Sequence, residues 1–237
     1  MSSSDGLILI GTIHLDWAGK DSLFDLIKSL RPDCIGVEIS RFSVEFRLAH
    51  QDAWLSKLEG LLQLIPCKKR NHYKIELLKR QLHMPFEWEM AIKAGRELGV
   101  SVIPMDSSEV SRMELPTWDK ELLELDNLLF LTSDGEDMDL DAYFKNHYQR
   151  AKKIFTEKSL CPSFLEGLVM DKNWCKREKI LTGRISFLHR QYPSLVYIGG
   201  WMHMINSRGT ITLARLLNSQ VVKRYLITGK GVCRCLT

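Results

Sequence analysis

At 237 residues, with 45% hydrophobic and 26% charged residues, the chain has the composition of a soluble globular protein of one large domain. A formal charge of +4 with scattered basic residues argues against a dedicated nucleic-acid surface, and no apolar run approaches the ~20 residues of a membrane helix. The opening MSSSDG has neither the basic region nor the apolar core of a secretory signal, and the six cysteines form no spaced framework, so a reduced, cytoplasmic protein is expected.

The first element is a short apolar run, Leu7–Ile10, that passes through Gly11 and Thr12 to His14. Such a run reads as a strand buried on both faces, with Gly11 where the chain turns or is closely approached. A helix with Leu23, Leu26, Ile27 and Leu30 on one face follows, and Pro32-Asp33 ends it. CIGVEI (34–39) is then a second buried strand. The β-α-β order makes the two strands parallel and puts Glu38 at the same sheet edge as His14.

Residues 40–64 read as a helix stopped by Pro66, 73–82 as a basic amphipathic helix, and 86–98 as a helix ended by Gly99. The basic stretch 68–80 is read as solvated surface. VSVIPM (100–105) is a third strand, with Asp106 at its exit. Residues 107–192 hold no strand pattern. Helices are expected near Leu122–Leu129 and over Tyr143–Lys158, Phe164–Asp171 and Asn173–Arg190, as a helical insertion or cap. LVYIGG (195–200) is a fourth strand leading to His203, residues 210–217 a helix, 221–228 a last strand, and the final nine residues a ragged tail.

The fold class expected is α/β: a mostly parallel central sheet covered by helices, in one domain over 1–237 with 107–192 as the insertion. Parallel strands gather His14, Glu38, Asp106 and His203 along one edge, where open α/β sheets bind ligands. The two histidines share a pattern, Gly11-Thr-Ile-His14 and Gly200-Trp-Met-His203. Two histidines and a carboxylate suit a catalytic zinc, or a harder divalent ion such as manganese, with open positions for water, hence metal-assisted hydrolysis. In that reading His14, His203 and Glu38 hold the metal, and Glu38 can alternatively serve as general base. Asp106 lands at the same edge, and Arg41 stands near enough in sequence to pair with Glu38.

These motifs, in this order, resemble the TraB/PrgY (pheromone-shutdown) family, which is similar to GumN and the Tiki metalloproteases within an erythromycin esterase/ChaN-like superfamily. The resemblance runs through Gly11, Thr12 and His14, then Pro32-Asp33 and Val37-Glu38, then Glu87, Ala91, Ala94, Glu97-Leu98-Gly99 and Asp106, and closes on Gly200 and His203. It implies a peptidase or esterase dependent on manganese, zinc or cobalt and acting on a peptide or small-molecule ester, in which Glu87 and Asp106 orient ligands or water. Its alternative is a non-catalytic protein that sequesters a peptide signal, or haem as ChaN does. The chain departs from the family where Ser107 and Ser43 stand in place of arginines, and where Asp171-Lys172-Asn173 replaces an Arg-Asn element. It also lacks the membrane segments of some relatives. A homodimer is compatible with the sequence, and no specific nucleic-acid partner is expected.

Overall fold

A computed structural model describes residues 6–133, 139–156, 171–206, 210–229 and 231–235. The sheet has six strands in the order β3-β2-β4-β1-β5-β6. The strands are β1 (Gly6–Thr12), β2 (Cys34–Val37), β3 (Ser101–Pro104), β4 (Ser194–Gly200), β5 (Val221–Thr228) and β6 (Gly231–Cys235). The first five run parallel, and β6 is antiparallel to β5. The α/β class and the mostly parallel sheet are therefore as the sequence predicts. The central strands β1 and β4 are apolar on both faces because both faces are covered, and Leu7, Ile8, Leu9, Ile10 and Leu195–Ile198 are all buried.

The chain divides into two compact units. The first joins residues 1–39, 86–106 and 147–237, and holds the whole sheet with α1 (Lys20–Leu30), α5 (Phe86–Leu98) and α10 (Lys172–His189). The second joins 40–85 and 107–146 and is helical. It contains α2 (Arg41–Leu64), α3 (Cys67–Arg70), α4 (Tyr73–Leu82), α6 (Ser108–Glu114), α7 (Trp118–Glu121) and α8 (Leu125–Leu131). Helix α9 (Leu140–Thr156) runs from the second unit into the first, so the helical stretch 107–192 is shared between the two.

The second unit has its own core, with Trp54, Leu58, Leu62, Ile75, Leu78 and Trp118 among its members. Arg47 is buried there, with no carboxylate paired to it among the described residues. Its Nη1 donates to the carbonyls of Gln81 (2.7 Å) and His83 (2.9 Å) at the end of α4, and its guanidinium lies 4.8 Å over the Trp118 ring. Burial lowers its pKa to about 10. It therefore caps a helix end, satisfying carbonyls that have no partner within α4.

Most boundaries agree with the periodicity, since Ser40 caps α2 by accepting from the Ser43 N–H and Gly99, at φ +71°, follows α5. Three expectations are corrected. The tail is not ragged throughout, because Gly231–Cys235 pairs with β5 as a hairpin strand. Its VCRC alternation is too short to stand out without the partner that supplies its ladder. The helix expected over 210–217 is confined to α11 (Leu213–Leu216). The second strand stops at Val37, which leaves Glu38 beyond the ladder. The helix expected at Phe164–Asp171 falls, up to residue 170, outside the described residues. No described helix is long and apolar enough to cross a membrane.

Candidate functional site

Register brings the two histidine motifs together. Strands β1 and β4 are adjacent, Thr12 sits opposite Gly200, and both chains leave the sheet at the same level. On the other side of β4, β2 pairs Val37 with Ile198, so Glu38 lies beside Gly199 and its backbone N–H bonds the Ile198 carbonyl at 2.8 Å. After His14 the chain turns back through Leu15, whose φ of +67° is a left-handed conformation that a leucine rarely adopts. Strain of this kind persists where surrounding structure fixes it, commonly at functional sites.

Each histidine is held at Nδ1 by a glutamate and turns Nε2 toward Glu38. His14 Nδ1 is 2.8 Å from Glu87 Oε1, and its Nε2 is 3.9 Å from Glu38 Oε2. His203 Nδ1 meets Glu178 Oε1, and its Nε2 is 2.8 Å from Glu38 Oε1. The supporting carboxylates are themselves held. The Thr12 hydroxyl donates to Glu87 Oε1 at 2.7 Å, and the Leu213 N–H donates to Glu178 Oε2. Glu38 also accepts from the Gly200 N–H at 2.6 Å and from Arg177 Nη2 at 2.5 Å.

Arg177 bridges to Asp106 as well, through Nε (3.2 Å) and Nη2 (2.6 Å). Arg184, seven residues on, donates from Nη1 to the carbonyls of Met105 and Asp106 at 2.8 Å each, fixing the exit of β3. The Trp174 ring stacks on His203, with centroids 4.7 Å apart and planes 9° from parallel.

Two glycines make the closeness possible. A Cβ on Gly199 would stand 2.5 Å from Glu38 Oε2, and one on Gly200 would stand 2.7 Å from His14 Nε2. Neither distance is tolerable for a carbon. Gly11 is approached equally closely by Trp201 and Met204, so its place in the motif is a matter of packing.

The charges settle one another. Burial disfavours the charged form of His203, but Glu38 and the hydrogen bond to Glu178 outweigh it and raise its pKa to about 10. Burial would raise Glu38; His203, Arg177 and His14 instead hold it well below the usual carboxylate range. For His14, burial opposes protonation, while the Glu87 hydrogen bond and the charges of Glu87 and Glu38 raise its pKa on balance. Arg177 is likewise raised, burial being outweighed by Glu38 and Asp106. The Tyr197 hydroxyl, buried on β4, has no hydrogen-bond partner among the described residues, and burial together with the charge of Glu38 pushes its pKa well up.

Of the residues singled out from sequence, His14, Glu38, Glu87, Asp106, His203, Thr12 and Gly200 are joined by direct or one-step contacts. Arg41 is elsewhere, its side chain exposed and paired with Glu45 on α2 at 2.8 Å. Glu38 finds its guanidinium in Arg177. Asp106 does not cap the next helix, because the N-cap of α6 is Ser107. Three members were not foreseen: Trp174, Arg177 and Glu178, all on α10. Glu178 could have been noticed. It stands in the buried stripe Glu178, Leu181, Ile185, Leu188, where a carboxylate is costly without a partner.

Imidazole and carboxylate are residue types that ligate divalent ions. Carboxylates on Nδ1 of both imidazoles, with both Nε2 atoms facing one glutamate, are what outer-shell partners give to ligating histidines. As arranged here, His203 and Arg177 contact Glu38 directly, and among the described residues no group of three or more His, Cys, Asp or Glu side chains is spaced to hold an ion. Compared with protein-family models, with curated proteins and with solved structures, the chain matches none.

Proposed function

We propose that this chain is a hydrolase of peptide or ester bonds of TraB-like type, working at the sheet edge formed by His14, Glu38 and His203. One observation carries the reading: two histidines in matching Gly-x-x-His motifs, each oriented by a buried glutamate, turn the same nitrogen toward one carboxylate. His14, His203 and Glu38 would hold a divalent ion (manganese, zinc or cobalt), which when bound would acidify a water and polarise a carbonyl.

The chain's own residues divide the remaining work by exposure. His14 is half exposed and can reach a water. Donation of its Nδ1–H to Glu87 fixes the tautomer and leaves Nε2 with the lone pair that would bind the ion. Glu38 has both oxygens engaged, and serves as a fixed negative charge. Before an ion binds, His203 is buried and protonated and keeps Glu38 ionised, and Trp174 shields that pair from water.

The same engagement of Glu38 by Arg177, His203 and Gly200 N–H favours a second reading, a binding protein without turnover whose ligand is a peptide signal or haem. One experiment separates them. Purified protein with manganese, zinc or cobalt is assayed on 4-nitrophenyl esters and fluorogenic peptides, beside His14→Ala and His203→Ala. Turnover lost in both variants supports the hydrolase. No turnover with any ion, together with a Soret band on mixing with haem, would replace it with the binding reading.

A further inference from the structure

Resting on the hydrolase reading, we infer that the substrate carries an anionic group, a carboxylate or similar oxyanion, that is received by Arg177. The site is rich in carboxylates, yet it hides them. The side chains of Glu38 and Glu87 are 5% exposed, Glu178 0% and Asp106 19%. The groups solvent meets are His14, at 52%, and Arg177, at 35%. An approaching molecule therefore faces an imidazole and a guanidinium.

Arg177 has donors to spare. Its Nε and Nη2 are used on Asp106 and Glu38, and no described residue accepts from its Nη1. A guanidinium held by two carboxylates on one edge is immobilised, so its remaining N–H groups are aimed before any ligand arrives. Pre-aimed, charge-assisted donors of this kind recognise carboxylates and phosphates well. Arg177 and His14 also flank the same Glu38 carboxylate, 2.5 Å from one oxygen and 3.9 Å from the other. A small acid bound at Arg177 thus has its neighbouring carbonyl within reach of His14 Nε2. Arg177 becomes the residue that sets specificity, and neutral or cationic substrates are the ones disfavoured.

The test has a binding arm and a turnover arm. Succinate and its neutral isostere succinamide are titrated into the wild-type protein while the His14 ring protons are followed by NMR. Separately, kcat/KM is compared for 4-nitrophenyl hemisuccinate and its neutral methyl ester. The expectation is saturable shifts with succinate only, and a preference of about tenfold or more for the hemisuccinate that falls toward unity in about 0.5 M NaCl. Arg177→Gln should abolish the preference; if that variant does not fold, the salt dependence of the wild type carries the test. Equal rates on both esters, or no shift with succinate, overturns the anion site while leaving hydrolysis intact. Succinate binding without turnover of either ester keeps the anion site and overturns the hydrolase.

Discussion

Raising the pH from 7 to 9 should weaken the fold, and His203 is the reason. Its folded pKa of about 10 stands against an ordinary value of 6.5, so the folded state keeps a proton that the unfolded state has released. The contribution is complete below 6.5 and is lost as pH rises through about 10. Over the interval each pH unit costs up to about 1.4 kcal/mol for one proton, so the two units from 7 to 9 cost on the order of 2 kcal/mol. Glu38 acts in the opposite direction: its depressed pKa contributes above the ordinary 4.5 and is lost as pH falls below it. Stability from this pair is therefore greatest between about 4.5 and 6.5. The assay is urea unfolding at several pH values with chelator present, beside His203→Gln, which removes the imidazole's own titration between pH 7 and 9. A steep decline in the parent and a shallow one in the variant is expected. Equal slopes in the two proteins would refute the argument that the buried imidazole is charged.

Four further outcomes are expected. Glu178→Gln leaves the buried imidazolium without the negative charge at Nδ1 and should cost about 3 kcal/mol in denaturant stability; a change below 1 kcal/mol would contradict the ion pair. Gly200→Ala drives a methyl group to within 2.7 Å of His14 Nε2 and should lower kcat/KM by more than about tenfold, with an overpacking cost of about 1–3 kcal/mol read from thermal melting. Tyr197→Phe removes a buried hydroxyl that has no partner among the described residues and should stabilise the protein by about 1 kcal/mol; a fall in melting temperature would mean that the hydroxyl is hydrogen-bonded. Titration with zinc or manganese in weak buffer should release protons as the ion replaces the proton on His203, and calorimetry in buffers of differing ionisation heat would count them. Absence of uptake would remove the metal from the proposed chemistry.

The backbone of the site was legible because strand ends are legible. Leu7–Ile10 and Leu195–Ile198 are dense apolar runs that read as doubly covered strands, and the helix between the first two strands makes them run parallel, although β4 lies between them in the sheet. From that alone His14, Glu38, Asp106 and His203 had to leave the sheet at one edge. Periodicity could not pair Arg177 with Asp106 and Glu38, 71 and 139 residues away, or rank the two histidines. In sequence they look alike, whereas in the structure one is half exposed and the other is sealed beneath Trp174.

The sequence by itself determined which residues are apolar, and through them which segments are buried strands and where each ends. Hydrophobic periodicity is local, so a few consecutive residues suffice to show it. The tertiary structure alone decided how the charges are shared: that Glu38 is neutralised by Arg177 and His203, that Glu178 reaches His203 from α10, and that Arg41 is spent on Glu45. Partner choice among charges depends on distance and burial in the folded chain, and sequence separation constrains neither.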